Sequence, residues 1–395
     1  MIGAEREELR QDLLKLGFDE VRFAGAEPAT DTRFMEWLER GWHADMAWME
    51  RTAEKRLDPA QVLEGASTVV LLGINYLPDD ANAVAQKRWA KYALHEDYHD
   101  TVIGAVREAA GLVRDRFGLN PDDCRGYVDT GPVMERGLAA RSGMGWLGKN
   151  GMLVSRHHGN WLFLAALLVR ARIEADTPLA GGRDLRGGAP SSGRYCGSCV
   201  RCIQACPTDA IREPGLVESE RCISYQTIEN KGNIPRRYRA AVGSRIFGCD
   251  ICLDVCPWNR FARAGRRLRI LTRYDLSDLD LLDLLTMNPE RFARVFRRTP
   301  LKRLKRERLQ RNACVVAGNL DQVEGWNDHM GGRREAVVGA LIRLAGESTP
   351  MVRTHAVWAV NRLEPETARE YLADARSSET DEGVLEEYAF WGNPR

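Results

Sequence analysis

A chain of 395 residues, 44% hydrophobic and 29% charged, has the material for two or three domains, each with its own core. No stretch approaches the ~18 to 20 unbroken apolar residues of a membrane span, and Met1-Ile-Gly-Ala-Glu-Arg-Glu-Glu puts acids where a signal peptide carries basic residues, so a cytoplasmic, membrane-free protein is expected. The formal net charge of +1 excludes a chain that is basic or acidic throughout, although it conceals a strong local polarisation.

Residues 5 to 16 place Leu9, Leu13, Leu14 and Leu16 at helical spacing, and Gly17 follows as a stop signal. Val21 to Ala24 and Thr68 to Tyr76 read as strands, the second apolar enough to be central. Thr101 to Phe117 is an amphipathic helix, and Pro132 to Ser142 is another with proline near its first turn. Met152 to Ser155 and Trp161 to Arg172 read as paired strands, and Trp161 to Val169 is the longest apolar run. The alternation predicts an α/β layer domain over residues 1–190. Asp176 to Arg194, rich in Gly, Pro and Ser, reads as a linker or long surface loop at its end.

Two stretches in this region invite functional readings. Gly143-Met-Gly-Trp-Leu-Gly-Lys149-Asn150 fits G-x-G-x-x-G and, but for Asn150, a P-loop. Both motifs need a strand before and a helix after. Here a helix-like segment precedes and a strand-like one follows, so a nucleotide fingerprint is declined; a turn that lets backbone approach a bulky ligand stays open. Tyr127-Val-Asp129-Thr-Gly-Pro132 puts a carboxylate between an apolar strand and a helix. Functional residues favour such edges, but an Asp there is also an ordinary helix N-cap, and residue chemistry alone favours the cap. Asp97-Tyr-His99-Asp100, ahead of a helix, invites the same reading.

Eight of the ten cysteines lie between Cys196 and Cys256. Cys196-x2-Cys199-x2-Cys202-x3-Cys206-Pro207 is the bacterial-ferredoxin spacing, which gives three thiolates to one [4Fe–4S] cluster and the fourth to another. In the second block, Cys249-x2-Cys252-x3-Cys256-Pro257, the leading cysteine is displaced and Cys222 is its natural stand-in. The assignment is Cys196, Cys199, Cys202 and Cys256 to one cluster, and Cys206, Cys222, Cys249 and Cys252 to the other. A disulfide framework needs an oxidising compartment and a small secreted domain. Zinc favours isolated C-x2-C pairs over an interlaced run ending twice in Cys-Pro. Cys124 and Cys314, among apolar neighbours, are read as buried thiols. A ferredoxin-like two-cluster domain is therefore placed at residues 191–262.

Residues 263–395 read as all-α. Leu309 to Leu320 and Arg353 to Leu363 resemble each other, with Ala336 to Ala345 between them, and suggest a HEAT-like repeat block, with a plain helical bundle as the alternative. Arg291 to Arg311 holds ten basic residues and one acid, Glu307, whereas Glu364 to Glu387 holds nine acids against Arg369 and Arg376. On a helix, Arg298, Lys302, Lys305 and Arg306 would share one side while Leu301, Leu304 and Leu309 pack inward. Such a stripe suits phosphates, although a charge run is usually a solvated face.

Taken together, Tyr-Val-Asp129-Thr-Gly-Pro-Val-Met-Glu-Arg136, Gly143 to Asn150, Asp97-Tyr-His99 and Cys222-Ile-Ser224-Tyr with its split ferredoxin block resemble epoxyqueuosine reductases over residues ~5 to 365. The resemblance implies a cobalamin-dependent enzyme with two [4Fe–4S] clusters that removes the epoxide oxygen of epoxyqueuosine at the wobble position of tRNA. It implies an N-terminal cobalamin domain, the ferredoxin-like insert and C-terminal helical repeats that bind tRNA. Asp129 would donate the proton; Arg56, Asp97, Asp129, Leu153, Ile223, Ser224 and Asp250 would line the corrinoid; Lys231 would face the tRNA. Glu96 stands where the family usually carries a basic residue, and no D-x-H-x-x-G occurs, so no histidine is expected beneath the cobalt and His157 and His158 are read as loop residues. A carboxylate facing a corrin in a dry pocket would have its pKa raised, which suits a general acid. A low-potential ferredoxin- or flavodoxin-like donor is expected, with the enzyme a monomer. A cobalamin-dependent reductive dehalogenase and a plain ferredoxin-type electron carrier are the competing readings. The first usually carries a twin-arginine export signal, absent here, and the second leaves the α/β domain and the basic block without a purpose.

Overall fold

The computed structural model describes residues 1–77, 88–180, 193–262, 272–322 and 333–390. Most of the predicted linker, residues 181–192, lies outside them, as does 263–271. The chain divides into two compact units, neither contiguous in sequence. The first comprises Met1–Asp79, His95–Cys222 and Asp250–Thr272; the second comprises Asp80–Leu94, Ile223–Cys249 and Arg273–Arg395. Two of the segment boundaries fall within residues 1–190, two within residues 191–262 and one after Thr272.

The first unit is built on a four-stranded antiparallel sheet in the order β1-β2-β6-β3: β1 is Glu20–Gly25, β2 Thr68–Asn75, β3 Cys124–Tyr127 and β6 Leu162–Val169. Thr-Val-Val-Leu-Leu-Gly-Ile-Asn is buried at every position of β2, as its unbroken apolar run requires, because helices cover both faces of the sheet. Strand side chains alternate, so β6 sends Ala166 and Leu168 into one layer with Leu138 and Ala139 of helix α3 (Glu135–Arg141). Phe163 points to the other layer, stacking on Tyr98 of helix α2 (Tyr98–Phe117) with ring centroids 4.2 Å apart. Helix α1 (Gly3–Lys15) packs on β1. The predicted pairing of Met152–Ser155 with Trp161–Arg172 is corrected: both edges of β6 are taken by β2 and β3, and β5 (Leu153–Val154) pairs with β4 (Trp146–Leu147).

The second unit is helical, and no strand recurs after Thr272 among the described residues. Helices α7 (Lys305–Gly318) and α8 (Arg334–Glu347) both pack on α9 (Pro350–Leu363), which also meets α10 (Glu382–Tyr388). The α7–α9 approach is close enough to demand a glycine: a Cβ on Gly318 would stand 2.4 Å from the Trp358 ring. Helices α4 (Ile223–Ile228) and α5 (Arg236–Val242) contribute Ile228, Tyr238 and Val242 to the same core.

The basic block is not one helix. Helix α6 (Pro289–Val295) ends before Arg298, whose φ is +56°, and Pro300–Leu304 forms a tight 3-10 segment before α7 starts at Lys305, φ +59°. Thr299-Pro300 is the cause: proline lacks the donor a continuing helix needs, and its ring pushes the preceding residue into extended backbone. Leu301, Leu304 and Leu309 are nonetheless fully buried, so the inward side of the reading holds while the outward stripe becomes a set of loop and helix-start cations. No helix among the described residues is long and apolar enough to cross a membrane.

Candidate functional site

No disulfide joins any of the ten cysteines. Cys196 ends a 3-10 turn, Cys199 and Cys202 follow around the short helix Arg201–Gln204, and Cys256 follows the short helix Ile251–Asp254. These turns gather four sulfurs. The Cys202 thiol is pushed up to about 11, chiefly by burial and then by Cys196, Cys256 and Cys199, which are close enough to act on it electrostatically. Among the described residues no three such groups close on a single ion. A bound cluster takes its cysteines as thiolates, so loading the site releases protons. In the second set, the Cys206 sulfur accepts the Ala210 N–H at 3.3 Å, and the Cys222 N–H closes a turn onto Ser219 O at 2.9 Å. Cys206, Cys222 and Cys252 lie in the first unit, and Cys249 is the last residue of a segment of the second.

The glycine-rich stretch that fails as a nucleotide fingerprint holds these loops. Lys149 Nζ donates to the carbonyls of Gly197 at 2.7 Å and Cys199 at 3.1 Å. Asn150 Nδ2 donates to Asn160 Oδ1 at 3.0 Å and to Cys252 O at 3.4 Å, while Asn259 Oδ1 accepts from Asn160. Trp146 is buried against Trp258 with ring centroids 4.7 Å apart. Both cysteine blocks are thus buttressed by residues 146–150. Sequence reasoning missed this because the cysteine-loop partners lie 48 and 50 positions from Lys149 and 102 from Asn150.

Asp129 is not a helix cap. Helix α3 starts at Glu135 with Met134 in the cap position, and Asp129 stands on the loop after β3 with φ +57°. Its Oδ2 accepts the Tyr98 hydroxyl at 2.7 Å and lies 3.9 Å from His99 Nε2, and its side chain is 65% exposed. Asp97 is the cap of α2, accepting His99 N–H at 3.1 Å and facing His99 Nδ1 at 2.8 Å. Arg56, half-buried and lowered by that burial, is close enough to Asp129 and Glu135 for both to act on it. The structure therefore brings Arg56, Asp97 and Asp129 together. Leu153 is turned into the core under β4 and β5, and Asp250 precedes the short helix carrying Cys252. Ile223 and Ser224 form the first turn of α4 in the second unit. His157 and His158 lie on the loop after β5, as expected, with both amides donating to Ser155 Oγ.

Glu135 was not singled out from the sequence. Its Oε1 is wholly buried without a hydrogen-bond partner, although the residue as a whole keeps some exposure. Burial first, and Asp129 second, push its carboxyl up to about 7. An acid raised from an ordinary 4.5 favours the folded state fully below pH ~4.5 and loses that contribution as pH rises to ~7. Glu135→Gln should therefore raise stability at pH 8 by on the order of 2–3 kcal/mol and leave pH 4 little changed. Urea midpoints measured at both pH values check this, and parallel midpoints for the two proteins would contradict it.

Lys231, Arg298, Lys302 and Lys305 are exposed in the second unit. Arg311 is fully buried on α7, its guanidinium pulled down to about 9 by burial, and it donates to the carbonyls of Gln226, Asn230 and Gly232 at 2.6–2.8 Å. That clamp fixes the loop bearing exposed Lys231, and Arg303–Glu229 (2.8 Å) and Arg308–Ile228 O (2.7 Å) tie it to the basic block. Arg298, Lys302, Lys305 and Arg306 make no ion pair among the described residues.

Comparison with known proteins places these features in one family. Residues 195–259 match the 4Fe-4S double cluster binding domain, and residues 56–130 match the model described as Epoxyqueuosine reductase QueG, DUF1730. The epoxyqueuosine reductase of Cyclobacterium marinum is 39% identical over 76% of this chain and 93% of its own. A crystal structure of an epoxyqueuosine reductase with an epoxyqueuosine-modified tRNA-Tyr stem loop superposes with TM-score 0.80 at 24% identity, covering 99% of this chain and 98% of that one. The Bacillus subtilis epoxyqueuosine reductase, solved with its catalytic aspartate loop swung out of the active site, gives TM-score 0.79 at 25% identity, with the same coverage. A chain with this identity over nearly all of such a relative, with the double-cluster domain and the family's own N-terminal region, belongs to the epoxyqueuosine reductase family of oxidoreductases.

Proposed function

We propose that this chain reduces epoxyqueuosine to queuosine at the wobble position of tRNA, with Asp129 as proton donor. The observation that carries the reading is the placing of Asp129 on a left-handed loop at a strand edge, held by Tyr98 and free of any capping duty. The relative solved with its catalytic aspartate loop displaced supports it.

Residues 1–190 form the cobalamin-binding catalytic region in this reading, 191–262 the two-cluster region and 263–395 the tRNA-binding region, where α7 and α9 are HEAT-like units. The residues at the Asp129 edge fit a corrin: a guanidinium, two carboxylates and the orphaned Glu135 oxygen offer partners to its rim of amides. Arg56, Asp97, Asp129, Leu153, Ile223, Ser224 and Asp250 would hold it. When bound, cobalamin supplies the low-potential cobalt centre that carries the hard step. The eight cysteines would hold two [4Fe–4S] clusters, which supply low-potential electrons when bound, and a ferredoxin- or flavodoxin-like donor is the expected source. The chain's own part is to hold the wobble base, exclude water around the epoxide and deliver a proton from Asp129 Oδ to its oxygen. Cytoplasmic tRNA is the substrate, and the enzyme acts as a monomer. The test is conversion of epoxyqueuosine-tRNA by the purified chain loaded with clusters and cobalamin. Queuosine-tRNA is the expected product, and none formed despite intact clusters and a cobalamin spectrum would overturn the reading.

Lys231, Arg298, Lys302, Lys305 and Arg306 grip tRNA phosphates in this proposal, without reading sequence. Lys302→Glu with Lys305→Glu should raise the KM for tRNA sharply and flatten the log–log salt dependence of binding by roughly 0.7 to 0.9 per lost contact. Cluster content stays constant. An unaltered slope and affinity would leave these cations as a solvated face.

A further inference from the structure

Loss of an epoxide oxygen as water consumes two electrons and two protons: both C–O bonds break and two O–H bonds form. One carboxyl group holds one proton. Asp129 must therefore regain a proton for each turnover, and the groups around it decide how. Two side chains reach its Oδ2: Tyr98 Oη at 2.7 Å and His99 Nε2 at 3.9 Å. Tyr98 donates its hydroxyl to Asp129 and so orients it. An imidazole exchanges protons in the neutral range. Glu135 and Arg56 are close enough to act on Asp129 electrostatically.

His99 is held for that exchange. Asp97 Oδ1 accepts both its backbone N–H, at 3.1 Å, and its Nδ1–H, at 2.8 Å, so the cap of α2 also sets the tautomer. With Nδ1 carrying the proton, Nε2 is the open position, and it faces Asp129. The side chain is 28% exposed, in reach of water.

We propose that His99 is the positioning residue that reloads Asp129 during turnover, with Asp97 orienting its ring. The inference rests on the reductase reading given above. A solvent proton binds Nε2, and the imidazolium passes it to Asp129 Oδ2 after a small ring movement or through one water across the 3.9 Å gap. Asp129 then gives it to the departing oxygen. The electrons are those the reductase already supplies.

In the fully loaded chain, His99→Gln should lower kcat about tenfold or more at unchanged KM for tRNA. Added imidazole should restore part of the rate, in proportion to its protonated form. A second measurement needs no turnover: the His99 ring, followed by nitrogen-15 NMR titration in the full chain, should titrate at lower pH in Asp129→Asn and in Asp97→Asn, because each removes a neighbouring anion. An unchanged kcat in His99→Gln would sink the proposal. So would a His99 titration unmoved by Asp129→Asn, whatever the rates. If wild type fails to convert epoxyqueuosine-tRNA, the reductase reading falls, while the titration still reports whether the two side chains are coupled.

Discussion

Asp129→Asn should keep tRNA and cobalamin binding and lose about 100- to 10,000-fold of single-turnover rate, the usual worth of a positioned general acid. Asparagine isolates the chemistry. It matches the shape of aspartate, it tolerates the left-handed backbone at φ +57°, and its Oδ1 can still accept the Tyr98 hydroxyl. Alanine would add strain to the loss of the acid. The alternative of a helix cap, for which asparagine substitutes well, is already removed by the start of α3 at Glu135. A rate near wild type would therefore leave Asp129 without a chemical role and move the search for the acid to its neighbours.

Cys222→Ala should halve the iron and sulfide of the reconstituted protein, because one [4Fe–4S] cluster loses a ligand and no other described cysteine can replace it. Cys124 is half-buried in β3, and Cys314 is fully buried inside α7, where burial drives its thiol upward and leaves it inert. Cys314→Ala is thus the control: it should cost core packing and keep both clusters. Iron counts for Cys222→Ala that still indicate two clusters would remove Cys222 from the ligand set and send the vacancy to a non-cysteine ligand.

The parts of this protein that could be read from sequence share one property, that the signal is local. Eight successive apolar residues announce β2, and C-x2-C-x2-C-x3-C-P announces its chemistry within a dozen positions. What escaped reading depends on distant partners. Nothing near Met152–Ser155 says that β5 pairs with β4, because that choice is made by β2 and β3 occupying β6. Glu135 looks like an ordinary first-turn acid until the fold buries its oxygen beside Asp129. The basic block was misread for a nearer reason: Thr299-Pro300 was visible and its power to break a helix was outweighed by the spacing of the cations. Lys149 shows both sides, since its glycine-rich setting marked it as unusual and only the fold showed carbonyls of the first cysteine turn as its partners.

The interleaving of the two units has a consequence for how the chain is made. Trp89 is 1% exposed in the helical core, where the backbone N–H of the next residue, Ala90, donates to Phe247 O and the Trp89 ring meets Phe296 at 6.3 Å. Phe296 is synthesised about 200 residues after Trp89, a wait of roughly 10 to 40 s at ribosomal speeds of 5–20 residues per second. Within that interval the N-terminal sheet receives its last strand, β6, at Val169, whereas residues 88–94 and then 223–247 carry apolar side chains whose partners do not yet exist. Birth order thus makes the helical unit the late, aggregation-exposed step of biogenesis, and it makes the middle of the chain, rather than its ends, the natural client of a chaperone.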